Sequence, residues 1–310
     1  MNRAKTIPKS KLRATVKYNL PLILLASPAI IYVILFRYLP MYGTIIAFRD
    51  YDYSSIWGSR WVGLKYFEYF FSSNDAAAVI RNTVFYNLFF IFVSQILSMT
   101  VGLCLYEVTK RKLLKVYQTS IIVPSFISWV LVAYIGFALM SNDNGMFNKI
   151  IEVFGGKPVN WYTEPKYWPV ILSVFYMWKN IGMGCIIYYA ALMGLDSSLF
   201  EAATIDGAGK LKQIRYISIP SLLPIVSVLL IMALGNIMGG DVGLFLQLPR
   251  DSGALYGATD ILNTYQIRGL LSGNFSQATA VGLFQSITGL VLVLSTNFTV
   301  RKISPEHSLF

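Results

Sequence analysis

The chain has 310 residues, 55% of them hydrophobic and only 13% charged, about half the charged share of an ordinary soluble domain. A soluble fold of this size cannot hide that much apolar side chain, so the composition excludes a water-soluble enzyme, a disordered regulator and a disulfide scaffold, and implies a polytopic membrane protein. The net charge is +11, and the two cysteines and single histidine (Cys104, Cys185, His307) leave no His-based dyad and no zinc cluster.

Six stretches approach the roughly 20 apolar residues that a bilayer span needs. They are Leu20–Phe36, Thr83–Leu105, Thr119–Met140, Trp168–Met193, Ser221–Gly239 and Thr279–Val300. Five carry no charge and the fourth carries only Lys179. The runs are too long for strands and lack period-two alternation, so an all-α integral membrane fold with six transmembrane helices is expected. The basic tail 1–18 precedes the first helix, 19–36, which reads as a retained signal anchor because no small-x-small cleavage site follows it. Segment 37–82 is rich in Tyr, Trp and Phe and is expected to lie along the outer interface. A core bundle over 83–300 carries the other five helices, with outer loops at 142–167 and 240–278, and 301–310 forms a short tail.

Loop charges orient the chain. With the N-terminus in the cytoplasm, the inner segments hold 15 basic and 5 acidic residues, whereas the outer loops hold 10 of each. Nearly all the excess charge therefore lies on one side, as the positive-inside rule requires. That distribution is a topology signal, and no basic face interleaved with stacking aromatics points to nucleic acid.

The cytoplasmic loop 194–220 carries the most information. Ser198 and Glu201 have capping-box spacing, so a short helix is expected to start there. Gly207 suits a C-cap at positive φ, a second short basic helix over Lys210, Lys212 and Arg215 follows, and Pro220 is placed to open the fifth span. A small rigid helical knob of this kind suits a groove on a partner. The run Gly207-Ala208-Gly209-Lys210 imitates part of a phosphate loop, but Leu211 replaces the required Ser or Thr and Thr204 the first glycine. ATP binding by this chain is therefore not expected.

The sequence Glu201-Ala202-Ala203, with Ile205-Asp206-Gly207-Ala208 and then Ile217 and Pro220, resembles the EAA signature of permease subunits of bacterial ABC importers. Trp61–Phe67, Arg81-Asn82-Thr83 and Trp178–Gly182 also resemble family segments, and the similarity extends to oligosaccharide and polysaccharide permeases. The resemblance implies a type I importer fold in a bacterial cell membrane, multi-pass, with no catalytic residue and no metal site of its own. It implies as partners a second permease (a different chain), two ATPase subunits that bind ATP and magnesium, and an extracytoplasmic binding protein. It makes Glu201, Ala202, Ala203, Asp206, Gly207, Ala208 and Pro220 the ATPase-coupling residues. Glu201 would meet a basic residue of the ATPase, the alanines would permit close approach, and Asp206 would cap the second short helix. A permease for a peptide or an osmolyte is the alternative within the family.

Polar groups inside spans are costly and are expected to face the bundle or a water path. The candidates for a substrate path are Asn87, Gln95, Trp129, Trp178, Lys179, Asn180, Asn236 and Gln285. Two readings of Lys179 stay open, attraction of a uronate carboxylate or a structural contact with backbone carbonyls or the partner subunit. A membrane enzyme or proton-coupled carrier would need clustered or intramembrane Asp, Glu or His, and the spans contain none.

Overall fold

A computed structural model describes residues 18–52 and 54–303. The basic stretch of the 1–18 tail and the end of the 301–310 tail, with His307, lie outside the described residues.

The chain begins with helix α1, Leu20–Val33, with Pro21 in its first turn, where the missing N–H costs nothing. Helical structure does not stop at Phe36. It runs on through a π turn, Ile34–Tyr38, and a 3-10 segment, Leu39–Phe48. No residue of α1 is buried, so this helix offers its whole surface to lipid or another chain. A two-stranded antiparallel hairpin follows, β1 Arg49–Asp52 and β2 Ser55–Trp61, with Arg49 opposite Trp61. Helix α2, Lys65–Phe71, closes this segment.

Helix α3 spans Asn74–Tyr106 and so starts before Thr83, the expected boundary. Asp75 in the first turn and Ala76, Ala77 and Ala78 behind it favour helix without being strongly apolar. Hydropathy marks the lipid-facing part of a helix, and its polar first turns extend beyond that window.

The third expected span, Thr119–Met140, is not one helix. Helix α4, Arg111–Phe126, and helix α5, Trp129–Met140, meet at 97°. Pro124 removes a donor inside α4, and Ile127 and Ser128 adopt extended backbone (ψ 130° and 150°). Ser128 Oγ then accepts from Leu131 N at 3.3 Å and caps α5.

Helix α6, Met146–Val153, lies in the outer loop, where the Asn148 amide bonds both Val159 N and Val159 O at 3.0 Å. Helix α7, Trp168–Met193, matches the fourth expected span. Gly182 on α7 is there for close approach: a Cβ at this position would lie 2.1 Å from Ile121 O of α4.

The cytoplasmic loop forms α8, Ser197–Ile205, and α9, Lys210–Gln213. Helix α9 passes through a π turn, Ile214–Ser218, directly into α10, Ile219–Gly235. The fifth span is therefore one helical run from Lys210 to Gly235 rather than Ser221–Gly239. The final helix, α13, covers Phe275–Ile303 and so exceeds Thr279–Val300 at both ends.

Segment 240–278, expected as a long outer loop, is largely folded into the core. It holds a π turn, Gly243–Gln247, helix α11, Tyr256–Thr259, and helix α12, Leu262–Leu271. Leu244, Leu248, Leu255, Ile261 and Leu262 are wholly buried. They join Tyr86, Phe90, Trp168 and Leu172 in one apolar cluster and Phe70, Val79 and Val281 in a second. A third cluster, Leu103, Tyr188, Leu192 and Leu222, packs the other end of the molecule.

Candidate functional site

The cytoplasmic knob is built by local backbone chemistry. Asp196, not Ser198, caps α8: its carboxylate accepts from Ser198 N at 2.9 Å. That bond holds the Asp196 carboxyl below the usual range. Glu201 lies mid-helix and exposed rather than closing a capping box. At the far end Asp206 is the C-cap and Gly207 adopts φ +76°. Ala208 N donates to Ala203 O at 2.8 Å and Gly207 N to Thr204 O at 3.0 Å, the paired bonds of a Schellman motif.

Asp206 does not cap α9, whose N-cap is Gly209. Instead Gln213 Nε2 reaches across the turn to Thr204 Oγ1 at 2.9 Å and Ala208 O at 3.2 Å. Pro220 sits in the first turn of α10, as expected, but the helical run does not start there. Pro220 follows the π turn, where Ile219 N donates to Ile214 O, so the wider ring precedes the residue that has no N–H. Ala202 is exposed and Ala203 half-buried, while Leu199, Ile205 and Leu211 present large apolar side chains to the outside. The knob is fixed to the bundle by Phe200 against Tyr106 (ring centroids 5.8 Å) and by the ion pair of Lys210 with Glu107 at 3.0 Å.

The intramembrane polar residues fall into separate groups. Lys179 is buried and its Nζ donates to Ile127 O at 2.6 Å, Ser125 O at 2.9 Å and Pro124 O at 3.4 Å. Ser125 O and Ile127 O are freed by the break between α4 and α5, at the negative end of the α4 dipole, and Pro124 O also accepts from Ile127 N at 3.2 Å. Ser125 Oγ returns a bond to Lys179 O at 2.7 Å. Trp129 completes this cluster, with its ring 5.4 Å from Lys179 Nζ and its Nε1 donating to Asp241 Oδ2 at 2.6 Å. Of the two readings of Lys179, the geometry matches the contact with backbone carbonyls.

Asn87 donates to Thr83 O and to Gly239 O, tying α3 to the segment that follows α10. Gln95 accepts from the Tyr188 hydroxyl between α3 and α7. Asn236 and Gln285 line one cavity of about 660 Å3 together with Gln266 and Met41. Gln285 Nε2 bonds Asn263 Oδ1 at 3.0 Å and its oxygen accepts from Gln266. Asn180 bonds its own helix at Tyr176 O, and Trp178 is 42% exposed beside Phe175.

Two features of the outer segment were missed in the sequence. Asp241 was passed over as a loop acid, although it directly follows an apolar run. Asp260 and Arg268 form a buried ion pair, with Thr264 donating to the same carboxylate and Asn82 Nδ2 donating to Asp260 O at 3.1 Å. Burial pushes the Asp260 carboxyl up, and the Thr264 hydroxyl and Arg268 guanidinium pull against that rise. Eight residues separate the two charges, and only the turn into α12 brings them together.

The family described as binding-protein-dependent transport system inner membrane component matches residues 96–307. Protein LplB of Bacillus subtilis (strain 168) is 34% identical over 298 residues, covering 94% of this chain and 92% of its own. The polygalacturonan/rhamnogalacturonan transport system permease protein YteP of the same organism is 36% identical over 291 residues, covering 92% and 89%. Among solved structures, a chain of a bacterial ABC transporter involved in import of the acidic polysaccharide alginate superposes with a TM-score of 0.86 at 29% identity, covering 95% of this chain and 99% of that one.

Proposed function

The chain belongs to the family of binding-protein-dependent transport system inner membrane components, and on that premise we propose that it is the permease of an ATP-driven oligosaccharide importer. A second, different permease completes the translocation path, two cytoplasmic ATPases bind ATP and magnesium, and an extracytoplasmic binding protein delivers the sugar. The observation that carries the coupling role is the knob formed by α8 and α9. It has a capped start, a Schellman stop, an exposed Glu201 and uncovered apolar side chains at Leu199, Ile205 and Leu211. Such a body fits a groove and transmits a push as a rigid lever.

Sugar rings suit aromatic faces and amide hydrogen bonds. The cavity lined by Asn236 and Gln285, with Asn180 and Trp178 on α7, supports a path of that chemistry. Asn87, Gln95, Trp129 and Lys179 are engaged in bonds between elements and serve the framework of the path.

The test is co-purification of the tagged chain from its native membrane in mild detergent, with ATPase activity and uptake measured on the same preparation. The expected result is an ATPase subunit and a second permease in the complex, with the ATPase lost from Glu201→Ala while the permease pair survives. Unchanged ATPase recovery and uptake in Glu201→Ala overturns the coupling role.

A further inference from the structure

The outer segment contains a recess that the transport reading above does not use. Among the described residues only Arg250 and Asp251 are non-glycine residues with positive φ, +57° and +48°. Consecutive left-handed residues are unfavourable for L side chains and persist where the surroundings impose them. The turn is held by Arg250 N donating to Gln247 O and Asp251 N donating to Leu246 O, both at 3.1 Å. Asp251 has a structural use, because its carboxylate accepts from Arg268 Nη1 at 3.0 Å.

Arg250 has no such use. Among the described residues it makes no ion pair, and its guanidinium carbon lies 4.2 Å from the centroid of the Phe137 ring. It lines a cavity of about 340 Å3 with Tyr134, Phe137 and Gln247. It also lines an adjoining one of about 350 Å3 with Phe137, Asn142 and Tyr162. The Tyr162 hydroxyl is buried with no hydrogen-bond partner among the described residues, and its ring packs 5.8 Å from Phe137. Burial pushes this phenol up to about 12, so it keeps its proton.

Two hydrogen-bond donors, one of them cationic, thus line adjoining recesses along a shared aromatic wall, and among the described residues neither has an acceptor. An oxyanion is an acceptor for either donor. The acids nearby leave Arg250 available: Asp251 and Asp260 are both paired with Arg268, and Asp143, on the wall of the second cavity, is solvent-exposed and makes no ion pair among the described residues.

We propose that Arg250, Tyr162 and the Phe137–Tyr134 wall form an outer subsite for a uronate residue of an acidic oligosaccharide, with the carboxylate on Arg250. This rests on the importer reading and names the substrate class within it. The sugar ring lies along the aromatic wall, Tyr162 donates to a ligand oxygen, and Asp143 and Asn142 offer acceptors for ring hydroxyls. A carboxylate side chain of the binding protein is the less fitting occupant, because it would leave the exposed Phe137–Tyr134 wall uncovered.

The test uses the complete complex in proteoliposomes with its binding protein. Its probes are uronate trisaccharides (galacturonate, mannuronate and guluronate) and their carboxyl-reduced counterparts. Arg250→Asn keeps a residue that tolerates the left-handed turn. The expected result is an approximately tenfold rise in the trisaccharide concentration for half-maximal uptake, with the reduced sugar unaffected. Tyr162→Phe is expected to shift the charged sugar in the same direction with no fall in Tm, since the hydroxyl it removes is unpaired. Equal losses for charged and reduced sugars overturn the subsite. A rise in the half-saturating concentration of binding protein, the same for both sugars, also overturns it and assigns Arg250 to docking. Wild-type complex that imports neither sugar overturns the uronate assignment, wild-type complex whose ATPase does not respond to its binding protein overturns the importer reading itself, and uptake of both sugars without any charge-dependent effect of Arg250→Asn overturns the subsite alone.

Discussion

Lys179 would be costly to lose for a reason unconnected with substrate charge. Lys179→Met takes the donor from the carbonyls of Ser125 and Ile127, and stranding buried acceptors costs about 3 kcal/mol. The expected outcome is a Tm several degrees lower for the purified complex and equal loss of uptake for acidic and neutral sugars. A selective loss for acidic sugars would return Lys179 to the substrate path. Asp196 offers a second test at this scale. Its folded carboxyl is held below its unfolded value by the Ser198 amide, so the cap stabilises fully above about pH 5 and the benefit is lost as pH falls through the folded value. The protection factor for hydrogen exchange at the start of α8 should fall on acidification in the wild type and stay flat in Asp196→Ser, where the cap does not titrate. Both residues were visible in the sequence, but their partners were not. A lysine within a span is conspicuous, yet the carbonyls it serves belong to a helix break some fifty residues earlier in the chain. The Asp196 cap was overlooked because Ser198 and Glu201 offered a plausible box two residues later.

The elements show where hydropathy alone stops. It locates each apolar run, but the polar first turns of α3 and the helical approach of α9 to α10 lie beyond it. It also passes through the break at residues 127–128, because Ile127 and Ser128 sit inside an unbroken apolar window and only Pro124 hints at a discontinuity. The Gly207 turn was legible because a positive φ leaves few alternatives to glycine. A Cβ there meets nothing within 4 Å, so the cost of Gly207→Val is conformational, about 1–2 kcal/mol. Uptake and ATPase recovery should fall in Gly207→Val and be largely kept in Gly207→Asn, since asparagine tolerates the left-handed region; equal behaviour of the two variants would remove the turn from the coupling argument. Gly182 is the opposite case, limited by space. Gly182→Ala must move α4 away from α7, because the new carbon would lie 2.1 Å from Ile121 O, and a marked fall in yield and Tm is expected.

The whole molecule has two poles. One carries Glu107, α8 and Lys210, joined by an ion pair at 3.0 Å. The other carries the hairpin, α6, α11 and α12, stitched by Tyr51 N to Ser276 Oγ and Ser252 Oγ to Tyr162 O, both at 3.0 Å. The loop charges place the first pole in the cytoplasm. In a Cys104→Ser background, Ser198→Cys should therefore resist an impermeant maleimide in intact cells and react in inverted vesicles, with Asn160→Cys behaving the reverse way. Labelling of both from the same side would refute the two-sided arrangement. The folded character of the outer 240–278 segment was the least legible feature at this scale, because its buried leucines are interspersed with Gly, Pro and charge and form no continuous run. The broken third span also bears on how the chain is made. Its halves are 16 and 12 residues long, and neither reaches the roughly 20 that a lone helix needs to partition into a bilayer. The open carbonyls between them gain their donor only when Lys179 has been synthesised. Stable integration of the bent α4–α5 pair is therefore expected to depend on α7, so a nascent chain stalled before Lys179 emerges should insert residues 111–140 less completely than the full chain, as glycosylation mapping would read.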